Sequence, residues 1–391
     1  MTVAMYAEGL EQRLRALCDR IHSGRYRAWP VRRAYISKAD GGKRPLGIPA
    51  LEDKIVQGAV AEVLSAIYEA DFLECSYGFR PGRNAHQALR AVHDAIMSER
   101  VNWVFEADIR KFFDSVDHDW LIRMLAHRIA DPRVLRLIEQ WLRAGVLEQG
   151  KYAQTIEGTP QGAGISPLLA NVFLHYVLDL WVRQWQRRRS CGRMRLVRYA
   201  DDFLLTFQSE ADAKHMQAAL GERLAKFGLQ LHEDKTRLIE FGCFAAQRRA
   251  RRGAGRPQTF NFLGFTHYCG TTREGRFLAQ CKTERARMVR KLKDVRVQLR
   301  RRMHQPIRKQ HAWLSAMLRG HYAYYGITGN IRSLGCFLRQ VQRAWRRVLG
   351  RRSQRGRLTW DRFMHLLHVL PLPHPHIVHR WRSPQASQAP A

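Results

Sequence analysis

At 391 residues, with 45% hydrophobic and 10% aromatic content, the chain can bury a core in two or three domains. Its 67 Lys and Arg against 34 Asp and Glu leave a formal charge of +33, which points to a polyanionic partner, nucleic acid first and an anionic membrane surface second. No run approaches about 18 apolar residues, so a spanning helix is excluded. The N-terminus lacks a signal-peptide pattern, and the seven cysteines show no C-x-x-C pair; this argues against a zinc module or disulfide framework and fits a reducing cytosol.

In chain order, Leu10, Leu14, Leu17 and Ile21 predict one amphipathic helix over 8–22. Residues 31–38 and 43–49 read as strands around Gly41-Gly42. This basic hairpin, with Lys38, Lys43 and Arg44, is readable equally as a phosphate holder and as a solvated hairpin. A helix is expected over 51–70, then a loop from Cys75 to Asn84 whose Arg80, Arg83, Tyr77 and Phe79 suit backbone contact and stacking on single-stranded nucleic acid. After a helix over 85–99, Val101, Trp103, Phe105, Ala107 and Ile109 alternate as a strand with Asp108 at its end. Asp117 is the better cap for the helix at 118–128, so Asp108 is left without a structural role.

A helix over 133–145 precedes a Gly/Pro-rich loop at 157–166, where three glycines and Gln161 allow close backbone approach to a ligand. A long apolar helix over 167–187 comes next. Leu196 to Leu205 then reads as a hairpin with Asp201-Asp202 at its tip. Ser209 caps a helix with Met216, Leu220, Leu224 and Phe227 inside, Gly228 stops it, and 229–232 returns as a strand. Residues 245–257 read as a flexible basic loop and 260–265 as a short strand. From 281 onward 25 Lys and Arg face three acidic residues. Helical patterns run over 283–303, 308–322 and 331–349, with His321, Tyr324 and Tyr325 interleaved, which favours an RNA-binding helical domain over a merely solvated face. The residues after Trp381 are expected to be disordered.

Two adjacent carboxylates at an apolar hairpin tip repel unless a cation lies between them, although a solvated acidic turn is the plainer reading of such a pair taken alone. The order strand, helix, hairpin, helix, strand is close to a split β-α-β unit, which brings Asp108 beside Asp201 and Asp202. Three such carboxylates suit two Mg2+ ions and nucleotide polymerisation, with the carbonyl of Ile109 as an extra ligand. Lys43 and Arg44 would then meet a triphosphate, and Phe113 would lie under the sugar and exclude a 2′ hydroxyl.

The Tyr199-Ala200-Asp201-Asp202 hairpin, the Asp108 strand, Gly158-Thr159-Pro160-Gln161-Gly162 with Ser166-Pro167-Leu168-Leu169-Ala170-Asn171, and Phe262-Leu263-Gly264-Phe265 together resemble bacterial group II intron reverse transcriptases. Arg44-Pro45-Leu46-Gly47-Ile48-Pro49 and Tyr77-Gly78-Phe79-Arg80-Pro81-Gly82 match that family's fingers, and Arg319-Gly320-His321-Tyr322-Ala323-Tyr324-Tyr325 resembles its maturase domain. The resemblance implies an α+β right-hand polymerase: fingers over 1–100, a palm over 101–280 with antiparallel sheet, a basic helical thumb and maturase domain over 281–380, and a tail over 381–391. It implies an RNA-directed DNA polymerase that binds group II intron RNA, assists splicing and mobility, and meets an RNA template with DNA primer, deoxynucleoside triphosphates and target DNA. The expected place is the bacterial cytoplasm, with a homodimer left open. Carried over, Gln161 touches nucleotide and template, Lys235 lies near the triphosphate, and Arg80 and Arg83 grip the template backbone. The chain departs from the family pattern in lacking the usual N-terminal extension and a Cys-rich nuclease module, and Gly162-Ala163-Gly164-Ile165-Ser166 stands where Gly-Gly-Val-Leu-Ser is common. DNA cleavage is accordingly not expected. The alternatives are an RNA-binding maturase with impaired polymerase and a free-standing reverse transcriptase in defence or repair.

Overall fold

Gly9, at φ 74°, caps α2 (Leu10–His22), the helix predicted over 8–22, in left-handed backbone, and a short α1 (Val3–Ala7) that the sequence pattern does not predict precedes it. These elements belong to a computed structural model that describes residues 2–37, 42–148, 151–153, 158–159, 162–352 and 358–381. The chain divides into two units, Met1–Ala95 with Val101–Ile239, and Ile96–Arg100 with Glu240–Ala391. The α+β class expected from the sequence is what forms.

In the first unit β1 (Val31–Ser37) and β2 (Lys43–Ile48) pair antiparallel from Arg32↔Ile48 to Ser37↔Lys43. Two helices, α3 (Leu51–Glu69) and α4 (Ala85–Ser98), come after them. At the start of α4, Asn84 Oδ1 accepts from the Gln87 amide and Gln87 Oε1 from the Asn84 amide, each at 3.0 Å, a reciprocal cap. β3 (Trp103–Ala107) leads to α5 (His118–Ala126), where Asp117 Oδ1 accepts from the Trp120 amide at 2.8 Å, as the predicted cap. After α6 (Pro132–Arg143) comes a small hairpin that the sequence pattern does not predict, β4 (Val146–Glu148) and β5 (Lys151–Ala153). Three-residue strands are too short to show a period. They complete the sheet β2-β1-β4-β5, in which β1 and β4 run parallel.

The predicted long apolar helix is α7 (Ser166–Leu174) and α8 (Leu180–Arg189) joined by a π turn, His175–Asp179. β6 (Met194–Tyr199) and β7 (Asp202–Phe207) form the expected hairpin. α9 (Glu210–Ala225) begins at Ser209 and stops before Gly228, at φ 72°. The strand expected at 229–232 reduces to one bridge, Ile109↔Leu231, and the fourth strand is β8 (Arg237–Glu240). The second sheet therefore runs β6-β7-β3-β8. One face of it, through Phe105, Leu196, Phe203, Leu205 and Phe207, packs on Leu220 and Leu224 of α9 and on Phe173 of α7.

In the second unit the basic stretch expected to be a flexible loop contains α10 (Ala245–Arg251), because Ala, Gln and Arg are all strong helix formers, and Arg252 beyond it pairs with Glu240. β9 (Phe260–Phe262), β10 (Phe265–Thr271) and β11 (Phe277–Thr283) form a sheet in the order β11-β10-β9. Leu263 and Gly264 make the two-residue turn of the first hairpin, with φ 48° and 82°, the positive pair that such turns require. α11 (Arg285–Arg301), α12 (Ile307–Tyr325) and α13 (Ile331–Leu349) match the predicted helices, and α14 (Trp360–Val369) is additional. Leu292, Val295 and Leu299 of α11 pack with Leu314, Leu318 and Tyr322 of α12 and with Phe337, Val341 and Trp345 of α13. Among the described residues no helix is long and apolar enough to cross a membrane. The tail after Trp381 lies outside the described residues.

Candidate active site

The β3–β7 ladder pairs Trp103↔Phe207, Phe105↔Leu205 and Ala107↔Phe203. Extending it by one residue sets Asp108 opposite Asp202, and alternation puts both on the sheet face that carries Glu106 rather than on the core face. β6 and β7 pair as far as Tyr199↔Asp202, so the connecting turn is only Ala200-Asp201. Asp108 and Asp201 are half-buried and Asp202 is exposed. Carboxylates far apart in sequence thus stand at one end of one sheet.

That turn is held by an unusual amount of structure. Ala200 has φ 58°, in a position where glycine ordinarily sits, at a cost of about 1–3 kcal/mol. The offsetting contacts come from the Tyr77-Gly78 segment and from a buried charge. The Tyr77 amide donates to the Arg198 carbonyl at 2.8 Å and the Arg198 amide to the Cys75 carbonyl at 2.8 Å, so 75–77 runs along β6. A Cβ on Gly78 would overlap the Ala200 amide nitrogen, which explains a glycine there. The Arg198 side chain is fully buried: Nε and Nη2 donate to Asp179 at 2.8 and 2.5 Å, and Nη1 to Asn171 Oδ1 at 2.9 Å and the Ala200 carbonyl at 3.1 Å. Burial alone would weaken its hold on the proton, but the Asp179 charge outweighs this and keeps the pKa raised. Asn171 Nδ2 in turn donates to the Gly78 carbonyl at 2.7 Å. Asp179 ends the π turn, whose Val177 and Tyr176 carbonyls accept from Arg223 Nε and Nη2 at 3.0 and 3.1 Å. Arg198, Asp179 and Asn171 do not stand out in the sequence, where only an Arg within an apolar strand signals them.

Around the turn, Lys235 Nζ donates to Asp108 Oδ2 at 2.5 Å, while two positions along Arg237 pairs with Glu106 at 2.5 Å. Phe113 is half-buried and packs edge-on against Phe112; its carbonyl accepts from the Thr159 amide at 2.7 Å, and Gly158, at φ 90°, leaves no room for a Cβ beside it. The start of the predicted Gly/Pro-rich loop is therefore seated directly on Phe113, and Gly162 lies against the Gly47 carbonyl of β2. Ile109 buries its side chain; the flanking bonds, Arg110 amide to Gln230 carbonyl and His232 amide to Asp108 carbonyl, leave its own carbonyl outside both. Lys43 is exposed with Nζ over the Tyr35 ring. The Arg44 side chain, Lys38 and Gln161 lie outside what the structure describes.

Two expected nucleic-acid contacts need correction. Arg80 is buried, and its guanidinium is spent on Glu69, at 2.9–3.2 Å, and on the Leu73 and Ser76 carbonyls, so it holds its loop together rather than facing a template. Arg83 is only half-buried and stacks on Tyr77, and Phe79 beside it is exposed, so these two remain presentable. In the second unit His321, Tyr324 and Tyr325 do meet, with Arg287 and Lys291, around a cavity of about 560 Å³. His321, however, is buried and stacked on Phe337 at 3.8 Å; burial, then the Lys291 charge, pushes its pKa down to about 4. It is neutral and offers no charge to RNA. The Tyr324 hydroxyl donates to the Leu263 carbonyl at 2.9 Å.

The aspartates supply only hard oxygen ligands, the donor type that suits a divalent cation such as Mg2+. Asp108 is paired with a cation, the ammonium of Lys235. Among the described residues no three His, Cys, Asp or Glu side chains stand close enough together to hold a metal ion.

The reverse transcriptase (RNA-dependent DNA polymerase) family model matches residues 36–267. Protein YkfC of Escherichia coli K12 is 36% identical over 258 residues, 58% of this chain and 67% of that protein. The group II intron-encoded protein LtrA of Lactococcus lactis subsp. cremoris is 37% identical over 236 residues, 60% of this chain but 38% of that protein. The chain thus spans well under half of its intron-encoded relative. Among solved structures, telomerase from Candida albicans in complex with a fragment of telomeric RNA aligns with TM-score 0.53 and 13% identity, over 88% of this chain and 58% of that one, a likeness of fold alone. Together with the aspartate turn and its register, the matched span leads to one conclusion: the chain belongs to the reverse transcriptase (RNA-dependent DNA polymerase) family.

Proposed function

We propose that this chain extends a DNA primer on an RNA template with deoxynucleoside triphosphates, and that it binds group II intron RNA and assists its splicing and mobility. The single observation behind the catalytic reading is the register that sets Asp108 beside the Asp201-Asp202 turn. In this reading Asp108, Asp201 and Asp202 hold two Mg2+ ions, with the Ile109 carbonyl as a further ligand. Bound there, such ions would lower the pKa of the primer hydroxyl and neutralise the leaving pyrophosphate. Lys235 gives up Asp108 and turns to the triphosphate, joined by Lys43 and Arg44. Phe113, braced by Phe112 and by the loop at Gly158, closes the space where a ribose 2′ hydroxyl would sit, and Gln161 reads the nucleotide from that loop. Arg83 and Phe79 carry the template, and the exposed arginines of the second unit carry intron RNA and target DNA. The fingers, palm and thumb division and a bacterial cytoplasmic location belong to the same proposal.

The test is primer extension on RNA with Mg2+, comparing the chain with an Asp201→Asn/Asp202→Asn variant. Loss of roughly a thousandfold or more is expected, the equivalent of several kcal/mol of transition-state stabilisation. RNA retention on a filter should hardly change. Extension by the variant at near the parental rate would sink the assignment.

A further inference from the structure

Away from the aspartate turn, α8 and α9 enclose a cavity of about 300 Å³ lined by Trp181, Trp185, Arg188, Arg189, Arg223 and Lys226. Basic residues at helix C-termini are ordinary, since they complement the helix dipole, and these four stand at the ends of their helices. Three features exceed that explanation. The cavity gathers four cations against one carboxylate, that of Glu222. Arg223 is only half-exposed, and its described partners are the two π-turn carbonyls and the ring of Phe227; no carboxylate pairs with it among the described residues, and its Nη1 makes no hydrogen bond there. Desolvation accordingly pushes its pKa down, the mark of a cation lacking a counter-charge. Finally, Trp185, which lines the cavity, is more than nine-tenths buried, and its indole Nε1–H is enclosed without a hydrogen-bond partner. Trp181, one helical turn before it and half-exposed, offers a flat apolar face at the same opening.

A phosphate would satisfy the unspent donors and the uncompensated charge together, and a base would cover Trp181. We propose that this cavity is a nucleotide-binding subsite, taking one phosphate on Arg188, Arg189 and Lys226, with the Trp185 Nε1–H and Arg223 Nη1 as inner donors and the base against Trp181. The phosphate could come from a free mononucleotide or from an RNA strand, and the proposal does not depend on polymerase activity.

The experiment is photo-cross-linking of the full chain with 8-azidoadenosine 5′-monophosphate and, separately, with a short 4-thiouridine RNA, followed by peptide mapping. Cross-links within 181–189 or 219–226 are expected. Labelling by the mononucleotide identifies the free nucleotide as ligand, and labelling by the RNA alone identifies the strand; either supports the site. An Arg188→Ala/Arg189→Ala/Lys226→Ala variant, checked by circular dichroism melting, should lose roughly tenfold or more of this labelling, since hydrogen bonds to charged groups carry it. Trp185→Phe, which removes the indole N–H together with part of the ring and is checked by the same melting, should lose severalfold. Absence of cross-links in both segments with both probes, or labelling undiminished in both variants, would overturn the proposal. Because the readout is binding, its failure is distinct from failure of the polymerase assignment.

Discussion

The surroundings of the aspartate turn in the first unit and the helices of the second use arginine in opposite ways. In the first, guanidinium groups turn inward to acids: Arg198 to Asp179 with both side chains fully buried, and Arg80 to Glu69. In the second, residues 281–391 hold 25 cations and three acids, so most of its guanidinium groups have no carboxylate to meet and lie on helix faces such as that of Arg296 and Arg300. The histidines show the same contrast. His175 and His321 are both buried and both depressed in pKa by burial, but His175 has the Asp179 carboxylate nearby to oppose the shift, whereas His321 faces Lys291, which adds to it. Composition therefore says that a chain will meet a polyanion, and only the distribution of partners says which cations are left to do so.

Arg198→Met should break the contrast most severely. It strands Asp179 in a dry interior and should cost about 3–5 kcal/mol in denaturant unfolding, with the aspartate turn loosened. If stability held, the buried pair would not be what supports the turn. Arg80→Ala should cost about 1–3 kcal/mol through its lost hydrogen bonds and leave the salt dependence of RNA binding unchanged. A shallower salt slope instead would return Arg80 to the template. His321 gives a pH signature. Its unfolded imidazole takes up a proton near 6.5 and its folded one only near 4, so its stability contribution is complete above that upper value and is lost as pH falls through this window. His321→Phe should flatten unfolding free energy against pH in that range, and an unchanged curve would contradict a neutral, buried ring. The smallest effect on stability is expected for Arg296→Ala/Arg300→Ala, within about 0.5 kcal/mol. The same variant should reduce the RNA salt slope by about 1–2. No change in slope would mean that this face of α11 does not meet RNA.

Much of this is legible in the chain. Most helices of both units match their apolar spacing, Asp117 and Ser209 cap where their positions predict, and alternation along Val101–Ile109 fixes which face Asp108 takes. The features that are not legible share one cause: they depend on partners distant in sequence. Arg80 reads as a template contact until Glu69 is seen across the loop, and His321 reads as an RNA contact until Phe337 covers it. The β4–β5 hairpin and β8 escape a sequence reading because their strands are too short to show a period. The π turn is invisible because a continuous apolar run has no phase from which an extra residue would stand out.

That π turn also sets an angular relation. Each residue of an α-helix advances about 100° around the axis, so the wider turn at His175–Asp179 fixes the azimuth at which α8 departs relative to α7. Deleting one residue there would restore uninterrupted α-helix and rotate α8 by roughly that amount. Asn171, before the turn, and Asp179, at its end, could then no longer face Arg198 together. The turn acts as a phase shifter, and the aspartates at the far end of Arg198 are aimed by a single residue's worth of helical rotation.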